Sequence, residues 1–211
     1  MTTINGKACV VNGTLVDKVF SNGKQVYGMN LLTDSGFESG QTPANYTWVG
    51  DSSPNTFFQV VGQITTHPMP FGKYMLRMAN YGTDSSLNTD QYVVYPTKPV
   101  LIRNGETWTY SYYYATAGSA VGEASDYLIS DDGSPIYGLS MIHGSRETLG
   151  GQTTWHRFAK TWTADRDVTV AKLRFGFIKT AASMGWLCID NIKLEKNVTA
   201  SPWSPAPEDV I

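Results

Sequence analysis

The sequence predicts an all-β protein, built as a sandwich of two antiparallel sheets. Aromatic residues make up 12% of the 211 residues, charged residues only 16%, and 20 residues are Gly. This composition is typical of strands joined by many turns. From residue 30 onward, strand-sized runs alternate with turn signals at an even spacing, and helical periodicity is almost absent. Even spacing of short strands favours two stacked sheets.

The strands are expected in the order in which these runs occur. They are predicted at residues 30–38, 56–64, 72–80, 91–95, 106–115, 125–130, 136–142, 154–163, 167–178 and 185–195. Turn signals separate them, among them Ser53-Pro54, Asn104-Gly105 and the pair Pro96 and Pro99. The pattern places one sandwich domain at residues 30–196.

Two flanking segments differ from this domain. Residues 1–29 contain three Asn-Gly pairs, at residues 5–6, 12–13 and 22–23, and Asn-Gly suits a type I′ turn because both residues tolerate positive φ. They are predicted to form a short β-meander, a docking or linker segment that packs on the following domain, a second copy or a larger assembly. Residues 197–211 hold closely spaced prolines, which favour an extended conformation without sheet pairing. This tail is expected to be a lid, a linker or a docking peptide.

Charge and hydropathy argue against nucleic acid and membrane as partners. The net charge is −2, so the chain carries no electrostatic footprint for nucleic acid. No apolar run approaches the ~20 residues that span a bilayer, and the first residues lack the basic and apolar regions of a signal peptide. Cys9 and Cys188 are expected to be free thiols. A disulfide would instead staple the N-terminal segment to the last strand, and sequence alone does not decide the pairing.

Period-two alternation divides each strand into a core face and an outward face. The outward faces of three strands carry Arg77, Tyr113 and Arg174. If these faces lie on one sheet, they form a surface with an aromatic platform and long hydrogen-bond donors. Such a surface suits a sugar, because the apolar face of the ring stacks on an aromatic side chain while its hydroxyls need polar partners. Loop aromatics that would extend this surface are Tyr46, Trp48, Tyr81, Tyr127 and Trp186.

Each of these residues also has an ordinary structural interpretation. Trp48, Trp108 and Trp155 suit the core, because large aromatics dominate sandwich cores. Tyr113 suits cross-strand packing, and Arg side chains are common on a solvated strand face. Alternation alone therefore leaves a binding surface and ordinary packing both open.

Six segments occur in a characteristic order along residues 30–196: NLLTDSGFESG, Trp48, GKYMLRM, NGETWTYSYYY, TTWHRFAKTWTA and GWLCIDNIKLEK. In this order they resemble the carbohydrate-binding modules of the cellulose- and xylan-binding families four, nine, sixteen and twenty-two. The resemblance implies a jelly-roll sandwich whose concave sheet or end loops bind a glycan. Trp108 stands where the family usually has Tyr, and Cys188 departs from the pattern of the last strand. The ligand residues of the family vary, so the identity of the sugar does not carry over.

Two acidic residues, Glu38 and Asp190, lie at the edges of the first and last predicted strands. The resemblance implies a structural calcium ion near these positions, which would tie together the two ends of the domain. Oxygen ligands fit a hard cation of this kind. The alternative is that both are plain turn and edge residues.

The segments VFSNGKQVYGMNLL and LEKNVTASPWSPAPED are similar to segments that flank such modules in tail and baseplate proteins of phages of Gram-positive bacteria. This similarity implies attachment to bacterial cell-surface polysaccharide and contacts with other tail or baseplate proteins. It also implies a virion location for a protein made in the host cytoplasm, with which the expected lack of a signal peptide agrees.

The expected function is therefore a non-catalytic carbohydrate-binding module of a phage tail or baseplate protein. A β-sandwich glycosidase needs two carboxylates that face each other across a cleft, and the outward strand faces offer no such pair. The alternative is a purely structural virion protein without glycan binding, since aromatic sheets also pack against neighbouring subunits.

Overall fold

The structure of the protein, a computed structural model, describes residues 10–11, 14–16, 18–50, 56–62, 72–80, 89–117, 121–136, 155–179 and 185–209. Within these ranges the strands are β1 (Val10–Val11), β2 (Thr14–Leu15), β3 (Lys18–Ser21), β4 (Lys24–Gly28), β5 (Thr47–Val49), β6 (Thr56–Gly62), β7 (Tyr74–Asn80), β8 (Thr89–Ile102), β9 (Thr107–Ala117), β10 (Val121–Ser130), β11 (His156–Thr163), β12 (Val168–Lys179) and β13 (Gly185–Glu195). A short 3-10 helix follows at Pro207–Asp209. The described part of the chain contains no helix long and apolar enough to cross a membrane.

Two antiparallel sheets make up the sandwich. The four-stranded sheet has the order β10-β12-β8-β5, and the five-stranded sheet has the order β11-β9-β13-β7-β6. From β8 to β13, each strand lies in the opposite sheet from the strand before it, so the chain crosses the sandwich at each of these connections. The all-β jelly-roll sandwich predicted from the sequence is confirmed.

The main hydrophobic core lies between the two sheets. Leu76 and Met78 of β7 and Tyr110 and Tyr112 of β9 are fully buried there. Phe175 of β12 packs edge-on against Tyr112, with 5.4 Å between the ring centroids. The predicted alternation is correct for these strands, so the intervening positions face away from the core.

The strand predicted at residues 30–38 is wrong, because this segment is a series of turns. Asp34 and Phe37 have φ angles of 46° and 56°, which an extended strand does not allow. The segment is nevertheless bonded to β13, since the Leu31 N–H donates to the Leu194 carbonyl at 3.0 Å. It therefore lines the edge of β13 as a loop.

The break predicted at Pro96 and Pro99 is also wrong, because β8 continues through both. The neighbouring strand β5 pairs only with residues 92–94 of β8. Beyond them β8 has no described partner on that side, so a missing proline N–H costs no ladder bond there. On its other side, β8 pairs with β12, and the register shifts between Val170 and Lys172, close to the two prolines. This shift is a bulge-like irregularity in the strand pairing.

The remaining strand predictions match, with two exceptions. The three-residue strand β5 is not predicted by the pattern. The strand predicted at 136–142 falls outside the described residues except for Ile136, which is buried.

In the N-terminal segment, β1 pairs with β2 and β3 pairs with β4. Asn22 and Gly23 join β3 to β4 with φ angles of 52° and 74°, as the type I′ turn requires. The other two Asn-Gly pairs lie outside the described residues.

Residues 197–209, called the strap below, pack across the outer face of the five-stranded sheet. The Thr109 hydroxyl on β9 forms a 2.8 Å hydrogen bond to the Asn197 carbonyl. The buried hydroxyl of Ser204 donates to the Gly28 carbonyl at 3.1 Å. The strap therefore ties the sheet to the end of β4.

A buried ion pair holds the middle of the strap. Lys193 and Glu195 of β13 have side chains 0% and 1% exposed, with Nζ and Oε2 3.7 Å apart. The Ser201 hydroxyl lies 2.7 Å from each of these two atoms, and the Ser201 N–H donates to Glu195 Oε1 at 2.8 Å. Burial lowers the pKa of Lys193 to about 8, against the partly compensating charge of Glu195. The path of the strap thus depends on two buried charges.

Trp203 of the strap packs directly on Gly36. A Cβ at Gly36 would lie 2.7 Å from Trp203 Cζ2, so we expect Gly36→Ala to destabilise the protein by about 1–3 kcal/mol. Thermal unfolding checks this, with Gly62→Ala as the matched control, because the nearest atom to a Cβ at Gly62 is 4.0 Å away. An unchanged melting temperature in Gly36→Ala would contradict this packing.

Candidate functional site

The outer face of the five-stranded sheet carries arginine and aromatic side chains around a small apolar floor. The floor is formed by Met75, Ala115 and Cys188, from three neighbouring strands, at 0–1% exposure. Half-buried side chains packed against it are Val61, Trp155 and Trp186. The face is therefore a second, smaller apolar cluster on the side of the sheet away from the main core.

Arg77 and Tyr113 lie on this face, as the alternation predicts. In the register of the sheet, Arg77 is opposite Cys188, and Tyr113 is opposite Asp190. The guanidinium of Arg77 lies over the ring of Trp186, with 5.7 Å from Cζ to the ring centroid. Three of the predicted site residues are thus brought together on one surface.

Trp155 and Arg157 also belong to this face, although neither is predicted as a site residue. Arg157 of β11 is opposite Tyr113, and its Cζ lies 5.8 Å from the Tyr113 ring centroid. Trp155 packs with the floor of this face and not with the main core. A sequence signal for both residues exists. Trp155 and Arg157 alternate with His156 and Phe158 in the run WHRF, so they share one face of their strand, as Tyr113 shares one face of β9 with Ser111 and Ala115.

Arg174 lies on the other sheet. A single binding surface requires the three outward-facing residues to lie on the same sheet. Arg77 and Tyr113 meet this requirement, and Arg174 does not. On the outer face of β12, Arg174 Cζ lies 3.9 Å from the ring centroid of Tyr92 and 4.5 Å from that of Tyr127. The two sheets of the sandwich separate this stack from Arg77 and Tyr113.

The other predicted aromatics are dispersed. Trp48 of β5 is half-buried and packs against the main core, in line with its ordinary core interpretation. Tyr46 is 44% exposed, and its ring centroid lies 4.8 Å from that of Phe58. Tyr81 lies outside the described residues.

Glu38, one of the two predicted metal ligands, is held by the start of β7. Its Oε1 accepts hydrogen bonds from the N–H groups of Lys73 (2.8 Å) and Tyr74 (3.3 Å). The carboxylate lies so close to Gly72 that it occupies the space of a Cβ there. These contacts fix the orientation of the carboxylate.

Asp190, the second predicted ligand, is fully buried. Its Oδ1 accepts the Asn191 N–H at 2.7 Å, and its Oδ2 lies 3.2 Å from Asn191 Nδ2. Burial raises the pKa of Asp190 to about 9, the nearby charge of Glu38 adds to the shift, and the bond from Asn191 opposes it. A cation beside the Asp190 carboxylate would favour its charged form.

The donors present fit calcium if backbone or water oxygens complete the shell. Among the described residues, no group of three or more His, Cys, Asp or Glu side chains is placed to hold a metal ion. Calcium also takes backbone carbonyls and waters as ligands, so the two carboxylates would supply only part of its coordination shell. A cleft of about 540 Å³, bordered by Glu38, Gly72 and Asn191, opens beside Glu38.

Cys188 is a free, buried thiol. Burial raises the pKa of Cys188 to about 12, so the thiolate that nucleophilic chemistry needs is scarce at neutral pH. Cys188 therefore acts as part of the apolar floor. Cys9 lies outside the described residues.

The fold and this face define a β-sandwich with an aromatic and arginine-lined outer surface, and several solved structures share the fold. The enzymatically active domain of tailspike protein 4 of bacteriophage CBA120 matches 79% of this chain at 8% identity, with a TM-score of 0.54. The arabinose-bound α-L-arabinofuranosidase MgGH51 matches 79% at 13% identity, with a TM-score of 0.53. This chain spans only 21% and 26% of those two chains.

A carbohydrate-binding module, TmCBM61 in complex with β-1,4-galactotriose, matches 81% of this chain and 100% of the module at 15% identity, with a TM-score of 0.46. At 8% and 13% identity, the similarities to the tailspike domain and the arabinofuranosidase concern the fold alone. No protein-family model matches the sequence, and no curated protein matches it.

Proposed function

We propose that this chain is a non-catalytic carbohydrate-binding module of a phage tail or baseplate protein, which attaches the virion to the cell-wall polysaccharide of the host. The proposal includes a virion location and contacts with other tail or baseplate proteins. The observation that carries it is the outer face of the five-stranded sheet, where Arg77, Tyr113 and Trp186 surround an apolar floor. Aromatic faces receive the apolar side of a sugar ring, and guanidinium groups donate hydrogen bonds to its hydroxyls.

A non-catalytic role is supported by the acidic residues of this face. A glycosidase needs two carboxylates that reach the scissile bond. The described acidic side chains of the face are those of Asp190 and Glu195, at 0% and 1% exposure. Both are engaged by neighbouring groups of the protein, Asn191 and Ser201, which favours a structural role for each.

The proposal also includes a calcium ion, with Glu38 and Asp190 as two of its ligands. Its support is a buried carboxylate, Asp190, whose charged form is disfavoured until a cation offsets it. The ion would tie the loop after β4 to β13, and its role would be structural.

The test of the binding face is Tyr113→Ala. The variant is expected to bind wall polysaccharide at least roughly tenfold more weakly than the unaltered chain, since the stacking platform is lost (about 1.4 kcal/mol). Fluorescently labelled protein would be titrated onto Gram-positive cells and onto their extracted wall polysaccharides, with soluble polysaccharide as competitor.

Tyr127→Ala is the matched control. Tyr127 is also a half-buried strand tyrosine stacked with an arginine, but it lies on the opposite sheet. Its affinity should equal that of the unaltered chain, and a cooperative melting transition in both variants would establish that each is folded. Equal losses in the two variants would contradict the assignment of the face. Binding to tail proteins with none to any polysaccharide would favour the alternative, a purely structural virion protein.

A further inference from the structure

Arg157 is an exposed cation held in a fixed position at the rim of the outer face. Its guanidinium lies over the Tyr113 ring at 5.8 Å, and its Nη2 donates to the Ser201 carbonyl at 2.5 Å. Both partners are neutral, and the described part of the chain contains no carboxylate in an ion pair with Arg157. Most of its five N–H donors therefore remain available to a ligand.

The buried carboxylate of the strap does not offset this charge. Glu195 accepts hydrogen bonds from the Ser201 N–H and hydroxyl and pairs with Lys193. Arg157 lies close enough to Lys193 to add to the depression of its pKa, after the larger effect of burial. The negative charge of Glu195 is thus matched by Lys193, and the positive charge of Arg157 remains beside the Tyr113 ring.

We infer that Arg157 recognises a negative charge on the glycan, so the polysaccharide bound at the outer face is anionic and carries a carboxylate or a phosphate beside the sugar that stacks on Tyr113. This inference rests on the proposed function. A planar guanidinium matches both anions through paired N–H donors. The strap positions the group, because the Ser201 carbonyl that holds Arg157 is itself fixed by the buried ion pair.

The test compares wall polysaccharide from Gram-positive cells in three forms: native, carboxyl-reduced and dephosphorylated. Binding of the unaltered chain would be measured by titration calorimetry at low and high salt. The treatment that removes the recognised anion is expected to weaken binding roughly tenfold (about 1.4 kcal/mol) and to abolish its salt dependence. The two treatments distinguish a carboxylate from a phosphate.

Arg157→Gln is expected to weaken binding of the native polysaccharide by the same factor. It should lose nothing further on the neutralised polysaccharide, because the ion pair is already broken. Arg174→Gln, an arginine also stacked on tyrosine but on the opposite sheet, is the matched control and should retain full affinity. Both side chains are solvent-accessible, and unchanged melting temperatures would establish that the variants fold.

The possible outcomes separate this inference from the proposed function. Equal affinity of the unaltered chain for all three forms would overturn the anion inference and leave glycan binding standing. Binding to none of the forms would overturn the proposed function, and the inference with it.

Discussion

Calcium-free protein is expected to lose stability as the pH rises from about 4 to about 9, and calcium is expected to restore it. Burial, together with the charge of Glu38, raises the pKa of Asp190 from 3.8 to about 9. Over this interval the folded chain holds a proton at Asp190 that the unfolded chain has released. Raising the pH therefore favours the unfolded state. Because one pKa unit corresponds to about 1.4 kcal/mol, the loss amounts to several kcal/mol.

The measurement is the melting temperature between pH 5 and pH 9, with and without calcium. The protein would first be unfolded in guanidinium with EDTA and refolded without calcium, so that no tightly held ion remains. Without calcium, the melting temperature should fall as the pH rises. With calcium, which binds the ionised carboxylate and competes with the proton, the gap between the two curves should widen toward pH 9.

Asp190→Asn separates this site from the other acidic groups. The amide keeps the shape of the side chain but carries no proton to release, so the variant should lose both the downward slope and the response to calcium. Asp165→Asn is the control, because the Asp165 side chain is 85% exposed and should behave as in the unaltered chain. Coincident curves with EDTA and with calcium at pH 8 would rule out the calcium site.

The strands were predictable because alternation is a local property of the sequence. The last strand is predicted at 185–195 and lies at Gly185–Glu195. The first predicted strand is wrong because its conformation is set by distant contacts. The Asp34 N–H, for example, donates a hydrogen bond to Asp209 Oδ1 at 2.8 Å. The two residues are 175 positions apart, so no local sequence pattern predicts this bond.

The candidate site was predictable to a similar extent. Alternation indicates which side of a strand a residue occupies, and it identifies Arg77 and Tyr113 as outward. It does not indicate which sheet the strand joins, because sheet membership depends on long-range strand pairing. Alternation alone therefore groups Arg174 with Arg77 and Tyr113, which lie on the opposite sheet. The role of Arg157 depends on Ser201, 44 residues away, and no spacing in the sequence connects them.

Glu195→Gln is expected to destabilise the protein by about 3–5 kcal/mol, the cost of leaving a buried charge without its partner. Lys193 is 0% exposed, and in the variant its ammonium loses the charge of Glu195 while it keeps the neutral contacts of Ser201 and Pro202. The pKa of Lys193 should fall further, because burial already lowers it and Glu195 opposes that effect. Chemical unfolding of the variant and of the unaltered chain measures the difference.

Two further variants distinguish a coupled buried pair from independent contacts. Glu208→Gln breaks the exposed pair between Lys98 and Glu208 at the end of the strap, and should cost no more than about 1 kcal/mol. The double variant Lys193→Met/Glu195→Leu removes both charges, and should be more stable than Glu195→Gln alone because neither charge is then left unpaired. If the double variant were less stable than Glu195→Gln, the hydrogen bonds to Ser201 would outweigh the charge pairing. The strap would then be held mainly by neutral contacts.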